Sequence, residues 1–277
     1  MVIWQADFYR RPLRDKSDRP LWELAICDST GSFAYFALCP QSEANLNWSI
    51  AQLRSAAGDK LPEAIAVFRP QSLSLIEEAG KSLGVEVKAT RRVEALKKLL
   101  RDRERQYPEM EGYTGEACDI LAVESPPPVP LPENLWGDRW RFGAVEAGML
   151  VEEFGDRPIP ILEMPEFMLP LNLGLSSTLP VSGVIIDGGR RSMTLARWLE
   201  EARPFSIKYI PGEPDGLILE AGLSDRWILA TFEDKEVAKA GKVFEEKKEK
   251  SQGLHFLLVR PDDSGMTYSG FWLLKNN

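Results

Sequence analysis

The sequence predicts a mixed α/β (α+β) protein of two domains, and three observations lead there. Short apolar runs rich in Val, Ile, Phe, Tyr and Trp alternate with longer amphipathic stretches. A proline-dense segment, SPPPVPLPENLWG (125–137), separates two blocks of this kind. The 277 residues suffice for two cores of ordinary size. The expected division is an N-terminal α/β domain over 1–105, a Pro-rich linker over 106–138 and a C-terminal α/β domain over 139–277.

In the first block, VIWQADFY (2–9), WELAICD (22–28) and SFAYFALC (32–39) read as strands, the last two joined through Ser29, Thr30 and Gly31. Asn45 can cap a helix over 45–58 that Gly58 ends. AIAVF (64–68), a helix over 71–84, VEVKA (85–89) and a helix over 93–105 complete the order β-β-β-α-β-α-β-α. This is a ribonuclease-H-like strand order. The fourth strand ends in Phe68-Arg69-Pro70, without the usual catalytic acid, so the domain reads as non-catalytic.

In the second block, WRFGAVEAG and MLVEEF are strand candidates, and MPEFMLPLNLG is apolar but broken by prolines. GVIIDGG leads into a helix over 190–202. Strands follow at 205–210, 215–222 and 226–234, then a helix over 236–251 and strands at 254–259 and 267–274. Residues 190–259 therefore carry the αβββαβ order of a restriction-endonuclease-like core.

The net charge of −8 argues against a general polyanion binder, so any nucleic-acid contact must rest on local patches. A single histidine, His255, disfavours Ser-His-Asp catalysis and multi-histidine metal sites. The scattered Cys27, Cys39 and Cys118 read as reduced structural thiols of a cytosolic protein. No apolar run approaches the roughly 18 residues of a membrane span, and MVIWQADFYRRPL lacks a signal core.

Four constellations can carry function. In DGGRRSM (187–193), glycines between strand and helix would converge N–H groups beside Arg190 and Arg191, a phosphate grip or a solvated turn. The stripe KATRRVEALKKLLRDRER (88–105) holds eight Lys/Arg against three Asp/Glu. Helical spacing turns Val93, Leu96, Leu99 and Leu100 inward and Lys97, Lys98, Arg101 and Arg105 outward, either as a phosphate-tracking surface or as a solvated face. With Arg91 and Arg92 ahead of it, and with Arg10 and Arg11 in RRPLRDKSDR (10–19), this is the candidate basic surface. Aromatic residues near these stretches (Trp4, Phe8 and Tyr9, then Tyr268 and Trp272) can stack on bases or form core. Finally, Asp215 after Pro214, with Glu233 and Lys235, has the PD…ExK layout of a Mg²⁺-dependent nuclease, the carboxylates as metal ligands and the lysine near the attacking water. The same residues make a good turn and a helix cap. Outside that alternative no cofactor or metal is expected.

Several long strings occur together: WQADFYRRPL (4–13), VFRPQSL (67–73), LPENLWG (131–137), DRPIPI (156–161), GGRRSM (188–193), PGEPDGLILEAGL (211–223), DRWILATFED (225–234) and GLHFLLVRPDDSGMTYSGFWLL (253–274). They resemble the Tab2/Atab2 family of cyanobacteria and chloroplasts, essentially end to end. The family's C-terminal Trp-Leu-Leu matches Trp272, Leu273 and Leu274. The resemblance implies a non-enzymatic RNA-binding factor of photosystem biogenesis. Its partner would be the 5′ untranslated region of a messenger for a photosystem I reaction-centre subunit. The chain starts directly on these strings, and a cytoplasmic cyanobacterial member is expected. A third reading is an assembly factor that meets ribosomal or photosystem-assembly partners through the C-terminal hairpin, without touching RNA.

Overall fold

The computed structural model describes residues 2–58 and 60–276 and divides the chain into two compact units, Met1–Glu124 and Ser125–Asn277. The first unit is built on β1 (Ile3–Arg14), β2 (Pro20–Asp28), β3 (Ala34–Pro40), α1 (Leu46–Ala57), β4 (Ala64–Val67), α2 (Pro70–Leu83), β5 (Glu86–Ala89) and α3 (Glu94–Glu104). Its sheet runs β3-β2-β1-β4-β5, with β1 antiparallel to β2 and parallel to β4. Local chemistry fixes the helix ends. The Asn45 side chain accepts from the Trp48 N–H, Pro70 opens α2, and Gly84 closes it at φ +70°.

β1 is central and buried on both faces, and its alternation sorts two cores. Trp4, Ala6 and Phe8 join Leu53, Ile76 and Ala79 of α1 and α2. The opposite face carries Gln5, Asp7, Arg11 and Leu13, of which the first three are buried polar groups. Gln5 Oε1 accepts the Leu96 N–H and caps α3, which has no side-chain cap of its own. Asp7 accepts from Arg11 at 2.7 Å and from Arg69 at 2.8 Å. Arg11 Nε stands 3.5 Å from Glu23. Glu23 in turn accepts from Arg103 of α3 at 2.7 Å and from the Tyr107 hydroxyl at 2.7 Å. Burial opposes the charge on Arg11, but Asp7, Tyr107 and Glu23 together outweigh it and hold the guanidinium protonated, its pKa raised.

This network binds the segment expected to be a linker. Arg69 donates to the carbonyls of Ile120, at 2.7 Å, and of Ala122, and Tyr107 and Ile120 are core residues. Gly112 at φ +84° lies against the backbone of Arg14, whose N–H it accepts. Residues 106–124 thus belong to the first unit, and 125–138 belong to the second.

The second unit contains β6 (Val129–Pro130), β7 (Arg139–Glu146), β8 (Ile161–Glu163), β9 (Pro180–Asp187), α4 (Ser192–Ala202), β10 (Pro204–Ile210), β11 (Asp215–Ala221), β12 (Asp225–Phe232), α5 (Lys235–Lys250), β13 (Leu254–Arg260) and β14 (Gly270–Lys275). They form two sheets, β10-β11-β12-β6 and β7-β9-β13-β14-β8. The expected αβββαβ run is therefore not one layer: β13 pairs with β9 and β14, and the three preceding strands lie in the other sheet. The expected strand MLVEEF is helical instead. Leu150 and Phe154, four residues apart, pack under the sheet with Phe256 and Phe271. In β14, Trp272 and Leu274 enter one core and Leu273 the other.

β10 is an edge strand whose Ile207 is occupied by side chains of the other layers. The Ile207 N–H donates to His255 Nε2 at 2.8 Å, and its carbonyl accepts from Lys248 Nζ at 2.7 Å. His255 Nδ1 lies 2.8 Å from the Gly253 carbonyl, which can only accept, so the proton sits on Nδ1. Burial, and then the charge of Lys248, push the His255 pKa down to about 3.

Two outcomes follow. Arg69→Met leaves the Asp7 charge underpaired and frees residues 119–123. We expect a loss of about 3–5 kcal/mol in urea unfolding of the first unit and new protease cleavage near residue 120. Arg10→Ala, which breaks only an exposed pair with Glu116, should cost under about 1 kcal/mol; equal losses in the two variants would refute the network's role. His255 is neutral when folded but protonates near pH 6.5 when unfolded. Its contribution is complete above that pH and is lost as pH falls toward the folded value of about 3. Stability should therefore fall by up to about 1.4 kcal/mol per pH unit below pH 6.5, and His255→Gln should flatten the slope between roughly pH 7 and 5. Parallel slopes would contradict this.

Candidate nucleic-acid interface

The folded chain separates the candidate cations sharply. Arg11 is removed from the surface: its side chain has no exposure and is committed to Asp7 and Glu23. Lys97 is also removed, because its stem is buried beside Leu96 and Leu100 and its ammonium bonds Glu94 at 2.8 Å. Arg10 is exposed but faces Glu116 at 3.1 Å. The rest of 10–19 is neutralised as well. The β1–β2 turn returns Asp15 to Arg19 at 2.7 Å and Asp18 to Arg14 at 3.3 Å, and Lys16 lies 3.8 Å from Glu111.

α3 retains a cationic face. Lys98 and Arg101 are exposed, one turn apart, and make no ion pair among the described residues. Arg105 follows on the same side and pairs with Asp102 at 3.2 Å. Arg92 is exposed and Arg91 half-buried in the turn that leads into the helix. Lys88 pairs with Glu86 and Arg103 with Glu23.

In the second unit, the N–H groups of both turn glycines are already taken. Gly188 donates to the Arg260 carbonyl at 2.8 Å and Gly189 to that of Pro261 at 2.9 Å. Arg190 and Arg191 are exposed; Arg191 reaches Asp138 at 3.6 Å and the Glu133 carbonyl at 3.2 Å. Residues 133–140 pack on this turn, where the Asp138 N–H donates to the Asp187 carbonyl at 2.8 Å. Beside them opens a cavity of about 380 Å³, lined in part by Trp136, Arg139, Trp140, Leu195 and Ala230. Sequence reasoning passed over Trp136, Arg139 and Trp140. The signal available was two tryptophans flanking an arginine in LWGDRW (135–140).

Most of the candidate stacking residues are core. Trp4 and Phe8 are buried, Trp272 is fully enclosed, and Tyr9 lies under Arg69 at 4.1 Å. With Leu273 and Leu274 equally buried, the Trp-Leu-Leu motif is internal and offers partners no surface. Asp215 accepts from the Tyr209 hydroxyl at 3.1 Å and from the Gly212 N–H at 2.7 Å. Glu233 and Lys235 are exposed, and Asp234 between them caps α5. Among the described residues, no group of three or more His, Cys, Asp or Glu side chains is arranged to hold a metal ion. No helix among them is long and apolar enough to cross a membrane.

Two family models match: "RNA-binding protein Tab2/Atab2 N terminal" over residues 3–103 and "RNA-binding protein Tab2/Atab2, C-terminal domain" over residues 119–275. The chain is 30% identical to "Protein TAB2 homolog, chloroplastic" of Zea mays, with 98% of this chain and 70% of that protein covered. It is 29% identical to the Arabidopsis thaliana protein of the same name, with 98% and 74% covered. Among solved structures, the BIV integrase catalytic core domain aligns at 12% identity and a TM-score of 0.30, with 43% of this chain and 74% of that one covered. The HTLV-2 integrase catalytic core domain in complex with magnesium (trimeric form) aligns at 17% identity and a TM-score of 0.27, with 39% and 74% covered. With both units matched and nearly the whole chain aligned to the two TAB2 homologues, this chain belongs to the Tab2/Atab2 family.

Proposed function

We propose that this chain is a non-enzymatic factor that binds single-stranded RNA and supports translation or assembly of photosystem subunits. One observation carries the RNA contact. In an acidic chain, Lys98 and Arg101 stand exposed on one face of α3 and make no ion pair among the described residues, with Arg91 and Arg92 in the turn that leads into the helix. Such a face can neutralise consecutive phosphates. The family's description as RNA-binding supports the same reading, and the chloroplast relatives support a photosynthetic setting. By the resemblance, the target is the 5′ untranslated region of a photosystem I reaction-centre messenger. Ribosomal or assembly partners and a cyanobacterial cytoplasm belong to the same proposal.

The non-enzymatic part is supported by the fate of the carboxylates. The strand order β3-β2-β1-β4-β5 supports a ribonuclease-H-like first unit, yet Asp7 in its central strand is enclosed by two guanidinium groups. Asp215 is occupied by a turn amide and a phenol.

Lys98→Glu/Arg101→Glu should weaken single-stranded RNA binding and lower the salt slope, d log K/d log[salt], by about 1.4, the value for two phosphates. Lys97→Met should leave that slope unchanged. A folded double variant with the wild-type slope would remove α3 from the interface. Labelled RNA should also stay intact with Mg²⁺. Cleavage that is stopped by chelator and by Asp215→Ala would replace the binding factor with a nuclease.

A further inference from the structure

We infer that the cavity of the second unit holds one unstacked nucleobase of a single-stranded RNA. This rests on the RNA-binding reading above and adds a base contact to its phosphate contacts. At about 380 Å³ the cavity is of small-ligand size. Its walls come from β9, α4, β11 and β12, and they are mainly apolar: Val184, Ile186, Leu195, Leu217 and Ile228. Trp136 remains 51% exposed, although its Nε1 donates to the Leu131 carbonyl at 2.8 Å and fixes the ring. An ordered, half-open indole beside an apolar cavity gives a base a stacking surface at little entropic cost.

Two further features select a nucleotide. β6 pairs with β12 only at Trp227 and Ile228. Ala230 and Thr231, which line the cavity, thus have no strand neighbour on that edge among the described residues; strand hydrogen-bonding groups alternate in side, so one of the two presents its N–H and C=O to the open edge, where they can meet the edge of a base. Arg139 lines the cavity and is exposed, and it makes no ion pair among the described residues; nor does Arg190, on the turn against which residues 133–140 pack. Glu133 and Asp138 stand on the same segment, and Arg191 is held at Asp138. The rim is therefore weakly cationic, suited to one or two phosphates and not to a duplex backbone. A peptide strand added to β12 is the competing occupant, but the open edge is only 229–232, and Trp136 and Trp140 stand beside it.

The test is equilibrium binding of the full chain to labelled oligoadenylate and oligouridylate of about 12 nucleotides, and to an abasic ribose-phosphate strand of equal length. The wild type should prefer a base-bearing strand by about tenfold or more. Ala230→Phe fills the cavity and Trp136→Ala removes the half-exposed ring. Each should bring base-bearing strands toward the abasic affinity, with abasic binding and the salt slope unchanged. If both variants melt as the wild type does and keep the preference for bases, the cavity serves another occupant, such as a protein strand, and the inference is overturned while RNA binding stands. If the wild type binds no strand, base-bearing or abasic, the RNA-binding reading fails first and the inference with it.

Discussion

A charged carboxylate with no exposure in the middle of a sheet must be fully paired, or it costs several kcal/mol. Asp7 meets that condition through Arg11, four residues along the same strand and on the same face, and Arg69, at the end of the neighbouring parallel strand. The consequences spread outward. Arg69 has nitrogens left over, and they meet the carbonyls of residues 120 and 122. Arg11 leans on Glu23, and Glu23 takes Arg103 and Tyr107. Two buried carboxylates, Asp7 and Glu23, thereby tie α3 and residues 120–122 to the sheet. The same orientation turns Lys98 and Arg101 outward.

The second unit solves a different problem with neutral and cationic groups. Its two sheets share a core but no strand ladder, and the edge strand β10 would leave backbone groups unmet inside. His255 and Lys248 take both groups of Ile207 and connect the layers. The opposite edge is finished less completely. β6 contributes only two residues, so the rest of β12 stays open beside the tryptophans.

The regular elements were legible because period and punctuation agreed. Asn45, Pro70, Gly84 and the alternation in β1 each have a local cause that the sequence carries openly. MLVEEF was misread because a six-residue apolar run fits both periods; Leu150 and Phe154, at helical spacing, decided it only once a sheet lay above them. Arg11 and Lys97 were misread for a related reason. Charge runs suggest exposed faces, but neither the carboxylates of β1 and β2 nor the cover over α3 can be seen from a run of basic residues. Trp136 lay inside the segment that composition marked as a linker and Arg139 directly after it, so the contribution of 136–140 to a cavity wall was hidden.

The small size of the surviving basic surface has a consequence for selectivity. Phosphate contacts give affinity without sequence information, and on the α3 face of this −8 chain Lys98 and Arg101, the two exposed cations without an ion pair among the described residues, can make few of them. Non-specific binding is then weak, and the acidic remainder of the chain weakens it further. A factor built this way cannot hold a particular transcript by charge alone. On the proposed reading, discrimination comes from bases drawn out of the stack, whose shapes and hydrogen-bonding edges differ from one base to another. A recess with an aromatic edge supplies such contacts, and a shallow cationic face without an exposed ring does not.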